Sequence, residues 1–153
     1  MPVPNRTKAQ YPQGAIDVTT DTLRIALFDD TTAYTVDIDN HDFVSDVLDG
    51  GTTATEMSGT GYSRQTLSTV TVTIDDTDDE AEIDCDDVTF TGLDAGTIQG
   101  YIIYQQIGGD DTTPGDDPIL QIVDDSNNAD LPLTTNGSDV TITIDTEGFL
   151  NLA

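Results

Sequence analysis

Few residues of this chain have the types and spacing that catalysis requires. The sequence holds one histidine, one cysteine and four basic residues against 30 acids. His41 has Asp39 and Asp42 beside it, and a histidine paired with a carboxylate can move protons. No nucleophile or substrate pocket is indicated near it, so a surface or helix-cap position is the better prediction. Cys85 stands alone at an alternating apolar position, which excludes an intrachain disulfide and favours a small core residue.

The acidic clusters, such as DIDNHD and DDTDDE, are the other candidate sites. Calcium takes roughly six to eight oxygen ligands from loops of this kind. The Asp37–Asp39 pair nevertheless lacks the glycine and the closing glutamate of a helix–loop–helix calcium site. A zinc site would need a second histidine or cysteine, and the sequence has neither. We therefore predict no cofactor and no specific metal site, with only non-specific cations at an acidic surface.

The segment SGTGYSRQTLSTVTVTIDD, residues 58–76, holds the most distinctive polar group. GTG lacks the third glycine and the following helix of a phosphate-binding loop, so its glycines instead predict a tight turn into a strand. Tyr62 would then pack its ring and keep its hydroxyl in water. Arg64 would form a two-point pair with an Asp, within the fold or across a subunit boundary. The alternative is an ordinary surface arginine in a strand.

The net charge of −26 restricts both the solvent and the partners of this chain. Such a charge usually prevents folding, yet Leu, Ile, Val and Phe supply 37 of the 153 residues, above the roughly 20% floor of disordered chains. At about 1 M salt the screening length falls to roughly 3 Å, so we expect a halophilic protein that folds in molar salt. The negative charge disfavours nucleic acids and anionic membranes as partners. No apolar run reaches the ~20 residues of a membrane span, and we predict no signal peptide.

The elements that must position these residues are short strands. Apolar residues alternate in TLRIALFDD, EAEIDCDD, DVTFTG and DVTITIDTEGFLNL, and in TVTVTIDD, where Val70, Val72 and Ile74 are predicted to face inward. IQGYIIYQQI is apolar on both faces and predicts a central strand, with PILQIVDD as a shorter one. About eight to ten strands, separated by turn residues, predict an all-β fold. Its expected form is a single antiparallel β-sandwich of the jelly-roll or immunoglobulin-like type, with a barrel as the alternative.

One short helix is predicted in NHDFVSDVLDGG, where apolar residues share one face of about two turns. Asp39 or Asn40 would cap its start, because short polar side chains accept the free N–H groups of a first turn. Gly50 and Gly51 would end it, since glycine adopts the left-handed conformation that closes many helices.

The N-terminal segment differs in composition from the rest of the chain. Residues 1–14 hold Arg6 and Lys8 and no acid, and two prolines favour an extended backbone. We therefore predict an extended arm over residues 1–14 before a β-sandwich domain over residues 15–153. The arm would dock on an acidic neighbour through its two basic residues and Tyr11. The alternative is a free polar terminus.

The order and spacing of several segments resemble a family of small virion proteins of tailed viruses. In that family a TDTLKVAL-type strand leads to an H-x-F-x-S-D-V turn, then to G-T-G-Y-x-R-Q and a D-D-V-T-F strand. The corresponding segments here are TDTLRIAL, HDFVSDV, GTGYSRQ and DDVTF, and the agreement runs from about Gly14 to Leu152. The chain departs from the pattern in TIQGYIIYQQ, where the family carries a basic residue before the aromatic. A contact made there through arginine is therefore expected to be missing.

The resemblance implies a structural component of a tailed virus particle and no catalytic residues. Together with the acidity it predicts a virus of a halophilic archaeon, with the chain on the capsid surface as a decoration or turret subunit made in the host cytoplasm. The expected partners are the major capsid protein or other virion proteins, and further copies of the chain in a homo-oligomer. The predicted interaction residues are Arg6, Lys8, Tyr11, Tyr62 and Arg64. The alternatives are a tail or baseplate protein, a host adhesion module or, least favoured, an enzyme.

Overall fold

The structure is a computed structural model that describes residues 2–152. Met1, the first residue of the predicted arm, and Ala153, the last of the predicted domain, lie outside the described residues. Strands dominate, every pairing between them is antiparallel, and the predicted all-β class is confirmed. The described strands are β1 (Leu23–Asp29), β2 (Thr55–Glu56), β3 (Gln65–Thr66), β4 (Thr71–Asp75), β5 (Glu80–Asp84), β6 (Val88–Phe90), β7 (Gly96–Gln105), β8 (Ile119–Asp124), β9 (Leu133–Thr135), β10 (Val140–Ile142) and β11 (Leu150–Leu152). This is more than the sequence suggested, and two of them have only two residues.

The main sheet has six strands and is built around β7. β1 lies on one side of β7 and β8 on the other, as the apolar character of both faces of IQGYIIYQQI predicts. β2 and β3 pair with opposite ends of β1, and β9 pairs with the start of β7. Gly100 sits where a Cβ would lie 2.3 Å from the Phe28 ring and from the Val123 carbonyl, so only glycine fits there.

Each face of the main sheet carries its own hydrophobic cluster. On one face, Leu23, Ile25 and Leu27 pack with residues of a three-stranded sheet, β11-β5-β4, and a two-stranded sheet, β10-β6. On the other face, Ala26 and Phe28 pack with a short helix, Val44–Val47, and the loop before it. Alternation along β1 therefore places successive residues in two different clusters. The sandwich form stays a prediction, because the strands fall into three separate sheets.

The structure corrects the predicted orientation of β4. Val72 is 48% exposed and Ile74 is 78% exposed, although the alternation TVTVTI predicts that both face inward. β4 is the outer strand of the three-stranded sheet, and its apolar face extends past the buried Ile83 of β5. Period-two alternation identifies the two faces of a strand, but it does not say whether anything covers the apolar one.

The predicted extended arm is also wrong in its form. Residues Asn5–Gln10 form a helix, α1, and Thr7 within it is fully buried. The Thr7 hydroxyl donates a hydrogen bond to the Ile119 carbonyl, and the Pro2 carbonyl accepts one from the Ile122 N–H at 3.1 Å. The Ile119 carbonyl and the Ile122 N–H both belong to β8, which is an end strand of the main sheet. An uncovered edge of this kind can pair with another chain and cause aggregation. Residues 2–10 therefore cover this edge and belong to the folded domain.

The second helix, α2 (Val44–Val47), has one turn where about two were predicted. The Asp46 carboxylate caps it from within, since it accepts the backbone N–H groups of the two residues before the helix at 3.1 and 2.8 Å. The predicted caps, Asp39 and Asn40, instead donate their own N–H groups to Asp37 in a preceding turn. An aspartate that bonds the backbone two or three residues on stabilises such a turn and removes those residues from the helix.

Candidate functional site

The glycine turn of residues 59–62 is held in place by contact with a second turn, which contains Gly92 and Asp94. Gly59 and Gly61 have φ angles of +100° and +78°, a region that side chains disfavour. A Cβ on Gly61 would lie 2.4 Å from the Gly92 carbonyl oxygen. The Thr60 N–H donates to the Asp94 carboxylate at 2.8 Å, which joins the two turns. The glycines thus allow a close approach that directs the following residues towards β1.

Arg64 forms the two-point ion pair, and its partner is Glu56. Its Nε lies 2.7 Å from Glu56 Oε1, and its Nη2 lies 2.8 Å from Oε2. The side chains are only 13% and 30% exposed. The sequence predicted an Asp in this place. Glu56 lies opposite Phe28, and the register of β3 places Arg64 level with Ala26, about 7 Å away along β1, a distance that two long side chains can span.

Tyr62 also hydrogen-bonds the carboxylate of Glu56. Its hydroxyl donates to Glu56 Oε1 at 2.7 Å and accepts the Leu27 N–H at 3.3 Å. Its ring stacks beside Phe90 with centroids 6.1 Å apart. Burial, and then the charge of Glu56, raises the pKa of the Tyr62 phenol far above neutrality. The hydroxyl is therefore a neutral donor engaged by two contacts within the fold, where the sequence predicted a hydroxyl in water.

A second carboxylate, Asp111, accepts three hydrogen bonds and lies close to the guanidinium of Arg64. Arg24 Nη1 lies 2.5 Å from Oδ2, while the Tyr104 hydroxyl and the Gln106 amide donate to Oδ1 at 2.7 and 2.8 Å. Arg64 Nη1 is 3.6 Å from the same Oδ1. Partial burial opposes ionisation of Asp111, but the hydrogen bonds from Tyr104 and Gln106 and the two guanidinium charges outweigh it. The pKa of Asp111 is therefore held below its usual value.

These side chains form one connected group, which we call the arginine network: Arg24, Glu56, Tyr62, Arg64, Tyr104 and Asp111. Arg24 closes it by donating from Nη2 to the Arg64 carbonyl at 2.6 Å. The members come from β1, β2, the turn before β3, β7 and the loop after β7. The arginine network therefore ties the edge of the main sheet to the glycine turn and to that loop.

The chemistry of the arginine network is that of a structural tie. Burial opposes the charge of Arg64, but its hydrogen bonds and charge interaction with Glu56 raise its pKa further above the usual range, so it stays cationic. Burial likewise raises the pKa of Tyr104, with Asp111 adding to the effect, so its phenol stays neutral. General acid–base catalysis favours groups whose pKa lies near the working pH, and the pKa values of these two groups are shifted away from it. Two charged pairs that share hydrogen bonds instead hold chain segments in fixed positions.

The other predicted interaction residues lie apart from the arginine network. The Arg6 guanidinium is exposed and sits 4.5 Å from the centroid of the Phe43 ring. The exposed Lys8 donates to the Asn5 amide oxygen at 3.2 Å, within the same helix. Tyr11 is half-buried and packs against the cluster that includes β1, and burial raises the pKa of its phenol well above neutrality. The structure thus places these three on α1 and just after it, where docking on a neighbour stays a prediction.

His41 takes a structural place in the loop before α2. Its Nδ1 accepts the Asp37 N–H at 3.3 Å and lies 2.9 Å from the Tyr34 hydroxyl. The two rings stack with centroids 5.5 Å apart. Because Nδ1 accepts a backbone N–H, the tyrosine hydroxyl is the donor to the same nitrogen. The single histidine of the sequence is therefore engaged in holding the loop; it is half-buried and does not cap α2, unlike the surface or cap position that the sequence favoured.

Some exposed and half-buried acids come close enough together to share a cation. Asp75, Asp78 and Glu147 form one such group, and Glu80, Glu82 and Glu147 form another. Loss of solvation and the charge of Glu147 raise the pKa of Glu82, as expected where like charges crowd. Exposed acidic groups at this spacing attract cations without any pre-formed coordination, so no specific metal site is assigned.

Sequence reasoning missed four members of the arginine network: Arg24, Glu56, Tyr104 and Asp111. Scarcity is the signal that could have found two of them. The chain has three arginines and four glutamates, and Glu56 is the only glutamate between residues 1 and 79. A rare residue type kept beside a strand is a candidate for a specific contact. Asp111 had no such signal, because it is one of 26 aspartates.

Comparison of the chain with protein-family models, with curated proteins and with solved structures gives no match. Among the described residues, neither helix is long and apolar enough to cross a membrane. What can be said of function therefore rests on the geometry above and on the sequence.

Proposed function

We propose that this chain is a structural subunit of a tailed virus particle of a halophilic archaeon, carried on the capsid as a decoration or turret subunit. The observation that carries the proposal is the structural role of GTGYSRQ, one of the four segments that carry the resemblance to virion proteins. Its two glycines, Tyr62 and Arg64 all serve the packing of the domain. A motif whose residues hold the domain rigid suits a subunit that must keep its shape in a particle.

The distribution of acids supports the halophilic part of the proposal. Of the 30 acidic residues, only Asp117 and Asp124 are buried. The others are at least partly in contact with solvent, where molar salt screens their repulsion over roughly 3 Å. Acids at this density keep a protein hydrated and dispersed in concentrated salt. The same surface gives the subunit no attraction for nucleic acid, so its place is outside the packaged genome.

The proposed partners are the major capsid protein or other virion proteins, together with copies of this chain. Viral subunits bind at positions set by the symmetry of the shell, and a decoration subunit therefore occurs in a fixed ratio to the capsid protein. A tail or baseplate subunit would occur in far fewer copies. Copy number thus separates the proposal from its nearest alternative.

The test is quantitative mass spectrometry of purified virions in molar salt, followed by particle reconstruction. We expect this chain in a simple ratio to the major capsid protein, with density for the domain on the outer face of the shell. A host membrane fraction from uninfected cells serves as the control for carry-over of host proteins. A few copies per particle would favour the tail, and absence from gradient-purified particles would refute a structural role.

A further inference from the structure

The outer strand of the three-stranded sheet has one free edge. β4 pairs with β5 over its whole length, from Thr71–Asp84 to Asp75–Glu80. On its other side β4 has no strand partner among residues 2–152. A free edge exposes a row of backbone donors and acceptors that another strand can bind.

The face of β4 that is predicted to be buried is apolar and exposed. Cross-strand register places Ile74, Ala81 and Leu152 in one row on this face, and Ile74 and Leu152 are 78% and 41% exposed. The next row contains Val72, which is 48% exposed, beside the buried Ile83. The apolar surface therefore runs from the core outward to the free edge.

Charge is missing where a free edge normally carries it. Residues 65–74 contain no acid and no base, in a chain with 30 acids. Directly after them come Asp75, the last residue of β4, and the turn residues Asp76, Asp78 and Asp79. Charged side chains on an edge strand usually prevent edge-to-edge pairing, and β4 has none before its last residue.

We propose that β4 is a self-association strand, paired antiparallel with β4 of a second copy about a two-fold axis at Thr73. In this register Val72 of each copy lies opposite Ile74 of the other. The two three-stranded sheets become one six-stranded sheet, and their exposed apolar rows become continuous. An interface about a two-fold axis uses the same surface on both copies, as this one does.

The charge pattern selects a second copy as the occupant. Antiparallel pairing about Thr73 places Asp75 of each copy directly opposite the uncharged Thr71 of the other, so no acid of β4 stands directly opposite an acid. At each end of the pair the next acid in the same row is Asp84 of the other copy, on β5, which stands two strand spacings from Asp75, roughly 10 Å. The nearest acids in the middle, Glu82 of each copy, stand three strand spacings apart, roughly 14 Å. That distance is several screening lengths at about 1 M salt.

This inference names the surface through which copies of this chain, proposed above as partners, would associate, and it does not depend on the assignment to a virus particle. A β4 pair would form in purified protein in the absence of any virion component. If the chain is absent from virus particles, the proposed β4 pairing is unaffected. If the purified protein is monomeric, the proposed assignment to the particle is unaffected.

The register is tested with cysteines at two exposed threonines of β4. Thr73→Cys places two thiols opposite each other at the axis, where directly paired Cα atoms lie about 4.5–5.5 Å apart, within disulfide reach. Thr71→Cys is the matched control, because its two copies would be roughly 13 Å apart. Under mild oxidation in molar salt we expect a covalent dimer from Thr73→Cys alone. Equal dimer from both variants, or none from either, would overturn the register.

The surface is tested by sedimentation of the parent and of Val72→Thr/Ile74→Thr. These changes keep the branched shape and the strand propensity but remove the apolar contact, so the dimer should dissociate at least about tenfold more readily. Leu133→Thr, which alters another exposed apolar residue on β9, should leave the dimer unchanged. A parent that stays monomeric at all concentrations in molar salt would overturn the proposal. If the parent is monomeric and Val72→Thr/Ile74→Thr fails to bind particles, the exposed edge of β4 would be assigned to a contact with another virion protein.

Discussion

The Arg64–Glu56 pair gives the sharpest test of how the domain is held together. Arg64→Ala removes a fork of two charge-assisted hydrogen bonds, at 2.7 and 2.8 Å. It leaves Glu56 with the Tyr62 hydroxyl as its remaining donor. It also removes one of the two guanidinium groups beside Asp111. We expect a loss of stability with the overall fold retained.

The size of the loss follows from the exposure of the two side chains. Breaking a fully buried ion pair costs ~3–5 kcal/mol, whereas an exposed pair contributes ~0.2–1 kcal/mol. Arg64 is 13% exposed and Glu56 is 30% exposed, so water can reach the orphaned carboxylate in part. We therefore expect Arg64→Ala to lower the free energy of unfolding by about 2–3 kcal/mol. For a chain of this size the melting temperature should fall by about 5–10 °C.

The assay is denaturant unfolding at constant molar salt, with the parent, Arg64→Ala and Arg64→Lys compared. Lysine keeps the charge but loses the planar fork, so its loss should approach that of alanine. A double-mutant cycle with Glu56→Gln should give a coupling energy of ~1–3 kcal/mol between the two positions. Arg6→Ala is the matched control. Its guanidinium is exposed and stacks on one ring, a contact of ~0.5–1 kcal/mol.

Two results would refute this reasoning. If both Arg64 variants stay within ~0.5 kcal/mol of the parent, Arg64 is a solvated residue and the tie is absent in solution. If the losses are large but the cycle shows no coupling to Glu56, the fork is not what stabilises the fold.

Three further predictions follow from charge and burial. The melting temperature should fall steadily as NaCl is lowered from molar to ~0.1 M, because the repulsion within a charge of −26 loses its screening; an unchanged circular dichroism melt would refute the halophilic interpretation. Because the folded-state pKa of Asp111 is lowered, its stabilising effect is present above the unfolded-state pKa of about 3.9 and is lost as pH falls through the folded value. The stability gap between the parent and Asp111→Asn, measured by urea unfolding, should therefore be largest near neutrality and close in acid. Deletion of residues 2–10 should destabilise the domain and promote aggregation in light scattering, since it uncovers the β8 edge; a stable monomeric truncation would contradict the structural role of α1.

The sequence by itself determined the fold class and the central strand. Alternation of apolar residues is a local property, and burial of both faces of IQGYIIYQQI follows from its continuous apolar run, so β7 was predictable at the centre of a sheet. The need for glycine in GTG was also readable, because a positive φ excludes most side chains wherever it occurs. The surface charge was fixed by composition alone.

Only the tertiary structure decided which residues meet. Glu56 and Arg64 are eight positions apart in an irregular segment, and they pair because β2 and β3 dock on the same edge of β1. Nothing local to residues 2–10 shows that they cover β8, and nothing in TVTVTI shows that its apolar face is exposed. Periodicity records which side chains share a face, whereas the neighbour of that face is set by contacts between distant segments. That physical difference separates what the sequence predicted from what the folded chain alone reveals.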